Sequence, residues 1–242
     1  MERAEIDAVL EAMPRKRHKK ILVKGVGKND SDFCTGMEVN GKIINHQAYD
    51  IWSGMLQRCY DKKFHEIHPH YEGCSVSDEW LTFSNFFLWW KENSVDGWDL
   101  DKDLLFSGNR VYSSETCLFI PKYINCFLTA KSPNRRDLPM GVYRVSKRKI
   151  YKSLIGFNGG RIYLGCFSCA IEANRAWLKA KLEIAYSYKE ECDLIGVGIF
   201  EKLIERVMEF SAKPLDHREA QQIRVELDTS EHIKSLRAMR AA

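Results

Sequence analysis

Apolar positions recur at helical spacing in the opening residues. Ile6, Val9, Leu10 and Met13 share one face over 2–13, and Pro14, which cannot continue a helical ladder, ends the element. The chain to about Asn45 is rich in Gly and Lys, with short alternating pieces around Ile21 and Val23, and reads as loop with at most one strand. A second stripe, Ile51, Trp52, Met55, Leu56 and Cys59, predicts a helix over 49–60. His65 to Cys74 reads as loop, and Val76 to Trp80 leads into an aromatic helix over 83–90 that packs against the 49–60 helix. From Gly97 to Pro121 short apolar pieces surround Gly108-Asn109, a dipeptide that tolerates positive φ and signals a hairpin turn. A helix over 121–128 follows.

Ser132, Pro133 and Asn134 mark a linker, after which the period changes from helical to alternating. Three strands are predicted over 142–145, 150–157 and 161–164, joined by Ser146-Lys-Arg-Lys and by Asn158-Gly159-Gly160. A long helix over 170–188 carries Ala173, Ala176, Trp177 and Ala180 on one face, and those small residues let it approach a sheet closely. Beyond Gly196 and Gly198, Phe200, Leu203, Ile204, Val207 and Met208 form another amphipathic stripe, and Asp216 with Glu219 resembles a capping box for a further helix. Alternation sorts the strand residues into two faces. Val142, Tyr151, Ser153, Ile155, Ile162 and Leu164 should meet the helix, and Tyr143, Lys152, Arg161 and Tyr163 should face away from it.

At 242 residues, 45% hydrophobic and 12% aromatic, the chain can bury a core, which rules out wholesale disorder. No apolar run approaches the roughly 18 residues of a membrane helix, and the start of the chain lacks a signal-peptide pattern. Eight scattered cysteines in a chain with six tryptophans read as reduced thiols, giving a cytoplasmic protein. The overall net charge of +4 says little, but its placement says more. Residues 131–152 carry a net +7 from Lys131, Arg135, Arg136, Arg144, Lys147, Arg148, Lys149 and Lys152 against Asp137. A second cluster holds Arg15, Lys16, Arg17, Lys19 and Lys20, whereas the chain from Lys189 onward is slightly acidic. Basic segments of this density commonly face phosphate.

Metal chemistry has two weak candidates. Cys166 and Cys169 form a single C-x-x-C, and His65, His68, His70 and Cys74 fall at no defensible zinc spacing. Packed cysteines and loop histidines are the simpler reading.

Two stretches resemble known families. Trp52-x-x-Met55-x-x-Arg58-Cys59-Tyr60, Tyr71-x-x-Cys74-x-Val76-x-x-x-Trp80-x-x-Phe83-x-x-Phe86, Leu100-Asp-Lys-Asp103, Gly108-Asn109-x-x-Tyr112-Ser113 and Cys117-x-Phe119-x-Pro121-x-x-x-Asn125 resemble phage-borne HNH-type endonucleases over about residues 45–130. That resemblance implies a ββα site in which a His activates water while an Asp and an Asn hold a divalent cation such as Mg²⁺ against the scissile phosphate. By position, Asp101 and Thr116 stand at the metal ligands, Lys102 where the His is expected, Asp103 beside it, and Asn125 at the last motif position. A lysine in place of that imidazole is an ammonium unless burial strongly lowers its pKa, so the resemblance implies a phosphate-facing fold with cleavage weak or lost.

The second stretch, Gly141-Val142-Tyr143, Tyr151-Lys-Ser-Leu-Ile155, Gly160-Arg-Ile-Tyr-Leu-Gly165-x-Phe167 and the alanine-rich helix to Lys181, resembles the ethylene-response-factor (AP-two) type DNA-binding domain. It implies a three-stranded sheet lying in the major groove with the helix behind it. Arg135, Arg136, Tyr143, Arg144, Lys147, Arg148, Lys149, Lys152, Arg161 and Tyr163 are then the expected DNA contacts.

The whole reads as an α+β protein. An N-terminal helix and basic segment (1–44) precede a degenerate HNH-like module (45–130), a basic linker (131–140), a sheet-and-helix DNA-binding domain (141–188) and C-terminal helices (189–242) that would suit a homodimer. Double-stranded DNA is the expected partner and no membrane is involved. If the gene is phage or mobile-element borne, the setting is a bacterial host cell. The function expected is site location with cleavage weak or lost. The alternatives are a non-catalytic regulator derived from such a nuclease and a fully active metal-dependent endonuclease.

Overall fold

The first apolar stripe folds as α1 (Arg3–Ala12), which buries Ile6 and Leu10 and leaves Val9 and Met13 at the exposed margin. The structure is a computed structural model that describes residues 3–15, 21–129, 138–145, 149–213 and 217–228, with 233, 235, 236 and 239. It is α+β, with small sheets set among helices, and it divides into two units, Met1–Lys122 and Tyr123–Ala242. The Lys16–Lys20 cluster, Asp216 and the predicted linker at 132–134 lie outside the described residues.

In the first unit the Gly- and Lys-rich stretch read as loop contains a hairpin, β1 (Gly36–Val39) paired antiparallel with β2 (Lys42–Asn45). Asn40 and Gly41 connect the strands with φ of 51° and 74°, the mirror-image turn whose twist matches a two-residue hairpin. Next come α2 (Gln47–Tyr60) and α3 (Lys62–Ile67). The α3 turn corrects the reading of His65 onward as loop. Asp61 caps it, its carboxylate accepting the Phe64 amide at 3.2 Å. After β3 (Ser75–Val76), α4 (Phe83–Asn93) packs on α2 as expected. Trp52, Met55, Leu56, Trp80, Phe83 and Phe86 are fully buried between them, each worth about 2–3 kcal/mol of apolar transfer. The buried Trp52 indole donates to the Trp80 carbonyl at 2.7 Å, so this ring costs the core no unpaired polar group.

Three short strands follow: β4 (Trp98–Asp101), β5 (Val111–Tyr112) and β6 (Leu118–Pro121). Gly108-Asn109 does not close a hairpin, contrary to the turn signal. β4 pairs antiparallel with β6, and β5 leaves to pair parallel with β3. Pro121 ends β6, and α5 (Lys122–Leu128) begins one residue later.

The second unit holds the three-stranded antiparallel sheet in the order β7 (Val142–Arg144), β8 (Tyr151–Phe157) and β9 (Gly160–Phe167). The β8–β9 turn at Asn158-Gly159, with φ of 47° and 74°, is the one its sequence predicts. Behind the sheet runs α6 (Ala170–Tyr186), with Ala173, Trp177, Leu178 and Leu182 buried. Gly141, at φ 73°, opens β7 directly against the Trp177 indole, where a methyl would overlap the ring. Asn174 fastens the same helix by donating to the Met140 carbonyl at 3.1 Å and accepting the Ala212 amide at 2.7 Å. The unit is completed by α7 (Lys189–Ile195), α8 (Ile199–Met208), whose Leu203, Ile204 and Val207 are buried, and α9 (His217–Asp228). No helix among the described residues is long and apolar enough to cross a membrane.

Lys181 is the unusual member of this core. Its ammonium group is 3.4 Å from the centre of the Phe127 ring and donates to the Phe127 carbonyl, and the residue is 3% exposed. Burial lowers its pKa from the ordinary 10.5 to about 7. From about pH 7 to about 10.5 the unfolded chain therefore holds a proton that the folded chain has released, so unfolding free energy rises with pH across that window. Below about pH 7 the folded protein carries the buried charge at full cost. Lys181→Met should raise the melting temperature at about pH 6 and flatten its climb toward pH 10. A variant with the wild-type pH profile contradicts this account.

Candidate functional site

Two places could carry chemistry: the loop after β4 in the first unit, and the sheet face turned away from α6 in the second.

In the loop, Asp101 and Lys102 are both 7% exposed. Asp101 Oδ1 accepts the backbone amides of Asp103 at 3.0 Å and Leu104 at 2.7 Å. Burial raises the Asp101 carboxyl above the usual carboxylate range, against the pull of these two amides. Lys102 Nζ sits 2.6 Å from Asp103 Oδ1, donates to the Asn109 carbonyl at 2.9 Å, and lies 5.7 Å from the centre of the Tyr112 ring. Asn109 returns the bond, its amide donating to the Lys102 and Val111 carbonyls at 2.8 Å each. That side-chain knot is why the Gly108-Asn109 turn joins no hairpin. The Thr116 hydroxyl donates to the Val111 carbonyl at 2.7 Å and meets Ser113 Oγ at 3.0 Å. Arg58 Nε donates to the Tyr112 hydroxyl at 3.1 Å, and burial pushes the Tyr112 phenol above its usual value. Cys59 and Cys117 lie in the same core, each pushed up to about 12 by burial, and are therefore unreactive thiols.

This donor set fits a divalent cation poorly. One Asp101 oxygen already satisfies two amides, the Thr116 hydroxyl is spent on backbone, and an ammonium occupies the adjacent position. Among the described residues no group of three or more His, Cys, Asp or Glu side chains is arranged to hold a metal. His65, His68, His70 and Cys74 form no such group: His65 Nε2 is bonded to the Arg58 carbonyl at 2.8 Å, and Cys74 is buried. All eight cysteines are free thiols. Asn125 lies in α5 and belongs to the second unit, its carbonyl accepting from Thr129.

On the sheet, Val142, Ser153 and Ile155 are buried toward α6. Tyr143, Lys152, Arg161 and Tyr163 share the opposite face, through the pairings Tyr143 to Lys152, Leu154 to Tyr163 and Gly156 to Arg161. Lys152, Arg161 and Tyr163 are exposed and Tyr143 is half-buried. One expected DNA contact is not on that face. Arg144 pairs with Tyr151 on the helix side, its guanidinium 5.9 Å from the centre of the Tyr151 ring, and so does not join the outward face. Ile162 pairs with the buried Ile155 on the expected side and is 42% exposed in the edge strand β9. Lys149 is exposed beside the β7–β8 turn, while Arg135, Arg136, Lys147 and Arg148 lie outside the described residues.

Alternation already assigns Leu154 and Tyr163 to the outward face, but it places Cys166 on the helix side, whereas its thiol accepts the Tyr163 hydroxyl at 3.1 Å on the outward face. The signal that could have revealed this is Gly165, whose φ of 126° marks the irregularity within β9. Comparison of the chain with protein-family models, with curated proteins and with solved structures finds no match.

Lys102 is thus a structural cation of the 101–117 loop. Lys102→Ala should leave the Asn109 carbonyl unsatisfied and remove a packed aliphatic stem, costing about 2 kcal/mol or more. Urea unfolding followed by the tryptophan fluorescence of Trp52 and its neighbours would show it. An unchanged midpoint would mean that the Lys102 bonds contribute nothing to stability.

Proposed function

We propose that this protein binds double-stranded DNA through the outward face of the β7–β9 sheet and does not cut it efficiently. The observation that carries the reading is the division of the sheet. One face is filled by α6, while the other presents Lys152, Arg161 and Tyr163 to solvent. Among the described residues Lys152 and Arg161 have no ion-pair partner. Cations held on a rigid strand without a carboxylate are suited to phosphate and to base edges, and the ethylene-response-factor type domain that this stretch resembles lays such a sheet in the major groove. The net +7 of residues 131–152 adds the long-range attraction. The resemblance of 141–182 to the ethylene-response-factor type domain, and of 45–130 to HNH endonucleases, agrees with it.

The loop after β4 supports the second half of the proposal. In the HNH arrangement an imidazole activates water beside a metal-bound phosphate. Here the corresponding positions are engaged in holding their own loop. Loss of a general base commonly removes about 10²–10⁴-fold of rate. A relative of a homing endonuclease that keeps its site-locating sheet and has lost the base would act as a binding protein or regulator.

One experiment tests both halves: titration of the full chain against random-sequence duplex DNA over a range of salt, with and without Mg²⁺ or Mn²⁺. If about five phosphates are neutralised, log K should fall with log salt at a slope of about −4 to −5. Lys152→Ala should make that slope shallower by about one, and Arg161→Ala should weaken binding and relax sequence preference. Duplexes should remain intact. A slope near zero overturns the binding proposal, and brisk metal-dependent cleavage overturns the loss of catalysis.

A further inference from the structure

The uncovered sheet face is laid out in three rows. Tyr143, Lys152 and Cys166 pair across the first row, Leu154 and Tyr163 across the second, and Gly156 and Arg161 across the third. The register shift between Ser153 and Leu154 makes this possible by letting Tyr163 and Cys166, three residues apart in β9, stand on the same side. The 3.1 Å bond from the Tyr163 hydroxyl to Cys166 Sγ follows from that placement. It also ties the polar end of the phenol back toward the first row, so the ring runs along the strand and offers its carbon flank. Tyr163 is 56% exposed, and Leu154 lies half-buried beside it. The middle row is therefore apolar and sits between two cationic rows.

What such a face can distinguish follows from the groove it would meet. Reading adenine takes a side-chain amide, and reading the cytosine amino group takes a carboxylate. These three rows contain neither. The major-groove feature that an aliphatic side chain can read is the C5 methyl of thymine. Leaving Leu154 in a groove without such a methyl would strand apolar surface against polar base edges.

We propose that Leu154, with the flank of Tyr163, is a specificity-determining contact for thymine methyl groups, flanked by the cationic contacts of Lys152 and Arg161. This rests on the duplex-binding reading above and adds the class of base that the sheet selects.

The test starts by selecting the tightest binders from a random duplex library with the wild-type chain. The selected duplex is then resynthesised with each thymine replaced in turn by deoxyuridine, which removes one methyl and leaves every hydrogen bond. Wild-type affinity should fall about fourfold at one or two positions, the worth of one buried methyl. Leu154→Ala should bind the thymine and uracil forms equally well at those positions, and Lys152→Ala should keep the difference while binding more weakly overall. The uracil scan on wild-type protein needs no variant to fold. Indifference to every substitution overturns the inference while the duplex-binding reading stands, as does discrimination that survives in Leu154→Ala. Absence of any duplex binding overturns both.

Discussion

A three-stranded sheet with one helix to cover it has one face left over, and that constraint governs the second unit. The buried apolar residues of β7 and β8, Val142 and Ile155, lie on the side of α6. Their alternates are delivered to the other side whether or not they suit solvent. α6 can lie close because it meets the sheet with Ala173 and with a Trp177 ring seated against the bare backbone of Gly141. The approach is tight enough that Gly141 must remain a glycine for steric as well as conformational reasons. Once the helix is docked, the outward face is fixed to within the one disturbance that β9 allows. The placement of Lys152, Leu154, Arg161 and Tyr163 is thus a consequence of core packing on the reverse side.

The first unit obeys a different constraint, the pairing of backbone groups in a chain segment with little regular structure. Between Asp101 and Cys117 there are two residues of strand, yet the segment runs beside a buried core. Buried amides and carbonyls without partners each cost about 1–3 kcal/mol, so polar side chains are drawn into the loop to meet them. Asp101 serves the amides of Asp103 and Leu104, Lys102 and Asn109 serve each other's carbonyls, and Thr116 serves Val111. The aromatic layer of α2 and α4 sits alongside with few polar atoms: the Trp52 indole finds the Trp80 carbonyl, while the buried Trp90 Nε1 has no hydrogen-bond partner.

How much of this was legible in the sequence depends on whether the information is local. The helices at 49–60 and 83–90 and the strands β7 and β8 declare themselves through periodicity, because each turns buried residues to one side. Two dipeptides show where local reading ends. Asn40-Gly41 closes a real hairpin, yet it sits in a Gly- and Lys-rich stretch whose strands are only four residues long and bury no residue fully, so the flanking alternation is faint. Gly108-Asn109 looks like the stronger signal and closes none, because the Asn109 side chain bonds to Lys102 and Val111 while β4 finds its partner in β6. Non-local pairing decides between the two, and no window of sequence contains it. The Cys166 placement is the same lesson at smaller scale. Counting by twos from Tyr163 assigns Cys166 to the helix side, and a single irregularity in β9 brings it to the outward face.

These two constraints together separate the residues that hold the fold from those left to act outside it. Asp101, Lys102, Asn109 and Thr116 are chemically capable groups, but Asp101 Oδ1, the Lys102 ammonium, the Asn109 amide and the Thr116 hydroxyl are each bonded to partners within the loop. A hydrolytic site requires the opposite condition: donors and acceptors that stay unpaired until substrate or metal arrives, at a cost to stability that the rest of the fold must absorb. Lys152 and Arg161 meet that condition. They are held by strand backbone, exposed, and without an ion-pair partner among the described residues, on a face from which carboxylates are absent. Polar groups that a fold does not use are the ones available to a partner. By that criterion the outward sheet face is the surface that suits the proposed partner, while the polar groups of the loop after β4 are bonded within the loop itself.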